Sequence, residues 1–285
     1  MKTAEEKSER TITTNIYPKV AMMKLSDISD YSGSSKCSHV IISNGKVVHS
    51  CSHNYGLLKN EDFFGAFEEK MREEHIDFKA VYKSVNDSHF AADYILDGEM
   101  KVKTSKDILK PKIRLINSYD GSAPKLGFLG FYRMVCKNGL HAIKYEVDFR
   151  IKATNGSISR AMPSINQMVE KYKKTEGIKL ISRFTVLAEQ AVKQNDLVEI
   201  VKNIADTTKM FKFEKSETNI SPSKNAQFVL DKIAAEAEQL KTVPNKWLVY
   251  NAFNEWLNND ERNKKYEHAR VDLDTKLFAA VEAYN

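Results

Sequence analysis

Apolar and polar positions along the 285 residues follow two rhythms, and the change between them falls near residue 160. In the first half the period is two. "SHVIISNGKVVHSCSH" (38–53) sets two β-branched runs around Asn44-Gly45, a dipeptide suited to a two-residue hairpin turn. "FKAVYKSV" alternates, Asn86-Asp87 turns the chain, and Phe90 to Leu96 returns it. "PKIRLIN" places Lys112 and Arg114 on one side, with Ile113 and Leu115 on the other. "GFYRMVCKNG" sets Arg133 and Lys137 opposite Tyr132, Met134 and Cys136, and "YEVDFRIKATNG" sets Arg150 and Lys152 opposite Phe149 and Ile151. One helix interrupts this half. In "LLKNEDFFGAFEEKMREEH" Asn60 is the expected N-cap, and Glu61 and Asp62 fall in the first turn. Phe63, Phe64, Phe67 and Met71 recur at helical spacing.

From Pro163 the period becomes 3.6. "SINQMVEKYKK", "ISRFTVLAEQAVKQNDLVEIVKNIADTTKMF", "SPSKNAQFVLDKIAAEAEQLK", "NKWLVYNAFNEWLNND" and "DLDTKLFAAVEAY" all read as helices. Pro222 directly follows Ser221, the cap-then-proline order that opens a helix, and "KFEKSETNISPSK" reads as a loop or hinge. Trp247, Tyr250, Phe253, Asn254 and Leu257 share one stripe, which fits a helical core or an oligomer interface. The predicted fold class is α+β: an N-terminal antiparallel sheet with one or two helices, followed by a mainly α-helical C-terminal half. The corresponding division is a flexible segment 1–35, an α+β domain 36–160 and a helical domain 161–285.

Charge sharpens this picture. Thirteen Lys/Arg and four acids lie between Lys101 and Arg160, a local excess of +9 against a chain total of +6. The basic middle therefore sits inside a slightly acidic remainder, as a surface facing a polyanion would. Three strands each carrying two cations on one side predict a sheet whose open face is basic. Three cysteines, Cys37, Cys51 and Cys136, are too few for a disulfide scaffold and fit a reducing compartment. The polar, acid-containing start is unlike a secretory signal, and no run approaches the ~18 apolar residues of a membrane span.

No catalytic constellation assembles. Cys37 and His39 with His49, Cys51 and His53 have zinc-ligand chemistry, but a two-residue turn at Asn44-Gly45 would aim the two sets at opposite faces. Cys136 falls on the apolar side of its strand, and neither a nucleophile elbow, a P-loop nor a dinucleotide fingerprint occurs. Glu146 and Asp148 share a strand face and could serve a metal-dependent nuclease, though nothing completes the set. The expected cofactor and metal complement is none.

"NYGLLKNEDFFGAFEE", "INSYDGSAPKLGFLGFYRMVCKNGL", "FRIKATNG" and "WLVYNAFNEWLN" together resemble the phage/plasmid-like family known as domain of unknown function 932, over about residues 38 to 280. The resemblance implies a bacteriophage or mobile-element origin and action in the host cytoplasm, and it carries no catalytic residues across. Beside it, the residues predict a non-catalytic nucleic-acid-binding protein of the single-strand DNA binding or annealing type, acting as a homo-oligomer without membrane contact. Lys112, Arg114, Lys125, Arg133, Lys137, Arg150 and Lys152 would meet phosphates, and Tyr119 and Phe128 would stack on bases. The alternatives are a structural phage component that oligomerises through its helical half, and the metal-dependent nuclease.

Overall fold

A computed structural model describes residues 16–30, 34, 36–85, 87–103, 105, 107–133, 138–140, 149–154, 156–173, 176–216, 219–259 and 267–284. Strands β1 (Val20–Lys24), β2 (His39–Ser43) and β3 (Lys46–Cys51) form a three-stranded antiparallel sheet, and helix α1 (Asn60–Glu73) follows. A seven-stranded sheet is built from β4 (Phe78–Val85), β5 (His89–Leu96), β6 (Met100–Lys101), β7 (Ile108–Ser118), β8 (Lys125–Arg133), β9 (Asn138–Leu140) and β10 (Phe149–Ile151). Its main path runs β10-β8-β7-β5-β4, with β6 added to β7 and β9 to β8, all antiparallel. Then come α2 (Ser157–Lys173), α3 (Glu176–Glu189), α4 (Leu197–Thr208), β11 (Glu214–Ser216), β12 (Asn219–Pro222), α5 (Lys224–Leu240), α6 (Lys246–Asn259) and α7 (Glu267–Ala283).

The predicted hairpin forms with its two-residue turn, since Ser43 pairs with Lys46 and both Asn44 and Gly45 take positive φ. A bulge between Ile41 and Ile42 then shifts the register, so that His39 faces Cys51 and Ile41 faces His49. Asn44 and Gly45 predict the turn but not the bulge. Even with His39 beside Cys51, no group of three metal-ligating side chains gathers among the described residues.

Phe63, Phe64, Phe67 and Met71 bury one face of α1, with Glu61 and Asp62 in its first turn as expected. Asn60 is not the cap: Lys59 takes that place, and Asn60 is the first helical residue. Together with α2 residues Ala161, Ile165 and Met168, the α1 face covers one side of the large sheet, which we call the inner face: Phe90, Ala92, Tyr94, Ile113, Leu115, Leu129 and Ile151. Burial of this size outweighs local propensity in fixing the helix.

Farther along the same strands, Leu109 and Phe131 join Val102 and the helical core of α3 to α7. Trp247, Tyr250, Phe253, Asn254 and Leu257 are all buried in the structure, the apolar ones within that core, which resolves the α6 stripe as core. The helical region departs from expectation in two places. Residues 214–216 and 219–222 form the two-stranded ribbon β11–β12 where a loop or hinge was predicted. Ser223, two residues after the expected Ser221, caps α5 by accepting a hydrogen bond from the Ala226 N–H at 3.2 Å, while Pro222 ends β12. Helix α2 also starts before Pro163 and contains it.

Candidate functional site

Directly opposed residues of antiparallel strands share a face, so the pairing registers decide which cations can act together. Arg114 faces Phe128, Lys112 faces Gly130 and Arg150 faces Leu126, which places Lys112, Arg114, Phe128 and Arg150 on the outer face of the sheet. Lys125 faces Ile151 and Arg133 faces Leu109, which places both on the inner face. The expectation of one basic face is therefore corrected: β8 contributes its cations to the apolar side, and half-buried Tyr132 to the outer one.

Nor are the cations of β7 and β8 that the sequence singled out, Lys112, Arg114, Lys125 and Arg133, open to solvent. Lys112 and Arg114 are 1% and 2% exposed. Asp93 on β5 faces Arg114 in register, and Arg114 donates to both of its carboxylate oxygens at 2.5 Å, with Lys112 Nζ 3.8 Å away. Burial alone would raise the Asp93 carboxyl, but the Arg114 and Lys112 charges outweigh it and hold it well below the usual carboxylate range. Phe128 is 9% exposed and packs with Ala91, Ile116, Leu126 and Val271 of α7.

Arg133, fully buried, donates through Nε and Nη2 to Asp107 and through Nη1 to Glu236 of α5 at 2.7 Å. Trp247 Nε1 donates to the same Asp107 oxygen at 2.8 Å. This network ties the sheet to α5 and α6, and it accounts for Arg133 without any ligand.

Lys125 is buried, and its Nζ has no hydrogen-bond partner among the described residues and lies 5.4 Å from the centroid of the Tyr55 ring. Burial lowers its pKa to about 8. The Tyr55 hydroxyl is likewise buried and has no partner among the described residues, and burial raises its pKa. Both groups lie near His49, whose pKa burial lowers, with the Lys125 charge acting in the same direction.

Tyr119, expected to stack on bases, is buried against Phe90, and its hydroxyl accepts the Asn60 backbone N–H at 2.7 Å. The neighbouring positions of "NSYDGS" do similar structural work. Asn117 Nδ2 donates to Leu58 O and Asn60 Oδ1, both at 2.8 Å, and Ser118 Oγ donates to Ala123 O at 2.9 Å. Burial favours a higher Asp120 pKa, yet hydrogen bonds from Ser122 and Ser88 hold it below the ordinary value. Gly121 has φ +72°, and an added Cβ would lie 2.7 Å from the His49 ring. The motif locks the β7–β8 loop onto the N-terminal segment and α1.

What stays exposed is a groove where β10 runs into α2. It has a volume of about 590 Å³ and is lined by Arg150, Lys152, Thr154, Ser159, Arg160 and Ser164, with Ile151 and Pro163. Arg150, Lys152 and Arg160 are all exposed, no acid lies in the first turn of α2, and the described lining contains none. Arg160 Nη2 donates to Thr154 Oγ1 at 2.8 Å and to the Lys152 carbonyl at 3.4 Å, so its guanidinium is oriented from within the protein. Gly156, at φ +81°, opens α2, and Ser159 Oγ donates to its carbonyl at 2.8 Å. Arg150 and Lys152 belong to the predicted set. Thr154, Ser159, Arg160 and Ser164 do not, and the sequence signal near them is Gly156, which takes positive φ just before α2. Lys137, Cys136, Glu146 and Asp148 lie outside the described residues.

No curated protein and no solved structure matches the chain. A family model described as a domain of unknown function (DUF932) matches residues 47–280, a span that includes the sheet, the groove and the helical core. The chain belongs to the domain of unknown function 932 family.

Proposed function

We propose that the protein binds nucleic acid without catalysing a reaction on it, and that the β10–α2 groove is the contact surface. The observation that carries this reading is the cluster of exposed Arg150, Lys152 and Arg160 in a groove whose described lining has no acid. Such a cluster displaces counterions from phosphates and binds with little regard to base sequence. The Ser159 and Ser164 hydroxyls donate to the Gly156 and Arg160 carbonyls, so the cations carry the contact. The buried sheet cations Lys112, Arg114, Lys125 and Arg133 have no part in this contact. The sequence resemblance implies the cytoplasm of a phage-carrying host, and single-stranded DNA is the ligand that the residue reading favours. The test is fluorescence anisotropy with labelled single- and double-stranded oligonucleotides over a salt series. Binding should weaken steeply as salt rises, and a protein that leaves both oligonucleotides unbound at low salt removes the proposal.

A further inference from the structure

The exposed positive charge of the sheet is localised rather than spread along a track. Among the described residues, the exposed cations on the strands of the outer face are Arg150 on edge strand β10, Lys79 and Lys83 on the opposite edge strand β4, and Lys101 on the short β6. Four strand spacings separate those edges, about 19 Å. Between them Lys112 and Arg114 are buried against Asp93. A strand crossing this face would leave the groove and meet no exposed cation on β8, β7 or β5 among the described residues. In contrast, the groove draws three cations from an eleven-residue stretch, 150–160.

We infer that this groove seats a terminal phosphate, the phosphomonoester at the end of a nucleic-acid strand. The inference rests on the nucleic-acid reading above and narrows it to strand ends. An internal phosphodiester offers one negative charge. A phosphomonoester carries about −1.5 to −2 and three strong acceptor oxygens, a closer match to three clustered cations. Arg160 already has its guanidinium fixed by Thr154 and the Lys152 carbonyl, which lowers the cost of ordering it around the ligand. The acid-free first turn of α2 adds the positive end of a 17-residue helix at the same place.

The experiment compares internally labelled single strands of one sequence bearing a 5′-phosphate, a 3′-phosphate or two hydroxyl ends. Thymidine 5′-monophosphate and thymidine are measured in parallel by calorimetry. One phosphorylated end should bind about tenfold more tightly than the hydroxyl strand, as an added charge-assisted contact implies. Arg150→Glu with Lys152→Glu should erase that preference while its circular dichroism melt matches the wild type. Equal affinity for all three strands, with salt-dependent binding retained, overturns the inference and leaves the nucleic-acid reading standing. Binding of the monophosphate but of no oligonucleotide supports the phosphate seat and removes the nucleic-acid reading. If neither binds at low salt, both fall.

Discussion

Replacing Lys125 with Met should stabilise the protein, and the gain should depend on pH in a way that identifies its cause. Lys125 Nζ has no hydrogen-bond partner among the described residues, and burial lowers its pKa from 10.5 to about 8. The unfolded chain therefore binds more protons than the folded one between those two values. Wild-type stability rises with pH across that window, and the full penalty is present below pH 8. A difference of 2.5 units at 1.36 kcal/mol each gives about 3 kcal/mol. The Tyr55 ring 5.4 Å below the amine offsets part of this, because cation–π contacts contribute roughly 0.5–2 kcal/mol. The expected pH-dependent gain of Lys125→Met at pH 7 is thus about 1–3 kcal/mol, shrinking toward zero by pH 10.5. Urea denaturation of both proteins at intervals from pH 6.5 to 10.5 measures it, with tryptophan fluorescence and circular dichroism required to report the same transition. A difference between the proteins that does not change with pH would refute the reasoning, since it would mean that the amine has the same pKa folded and unfolded.

Arg133→Met should destabilise the fold by about 3–5 kcal/mol, because it leaves buried Asp107 and Glu236 without their shared cation; a urea midpoint close to wild type would contradict the network's role. Tyr119→Phe removes the acceptor for the Asn60 N–H and should cost about 1–3 kcal/mol by the same measurement. Gly121→Ala combines a positive φ with a Cβ 2.7 Å from the His49 ring, so its thermal midpoint should fall, and His49→Ala in the same chain should recover only the steric part.

The elements legible in the sequence were those whose signal is local. Phe63, Phe64, Phe67 and Met71 at helical spacing gave α1 its buried face, and Asn44-Gly45 gave the hairpin its turn. Pairing between distant segments was not legible. Alternation along each strand separated Lys112 and Arg114 from Ile113 and Leu115 correctly, but it cannot say which face of one strand joins which face of the next. That choice put Arg133 among core residues and Arg150 on the outer face. Asp93 gives no warning within "HFAADYIL" that it will meet Arg114 from 21 residues away and take that cation out of solvent. Of the cations that the alternation singled out, Arg150 and Lys152 stay exposed at the sheet edge. Their partners in the groove come from α2, whose return against β10 depends on packing of Ala161 and Ile165 under the sheet.

The central claim, that the groove and not the sheet's buried cations meets phosphate, is tested most directly by salt slopes. Oligonucleotide affinity is measured over a range of salt concentrations for the wild type and for Arg150→Glu with Lys152→Glu. The plot of log affinity against log salt should lose about two units of slope in the variant, roughly one for each phosphate contact removed. An unchanged slope and affinity in a variant that remains folded would contradict the account.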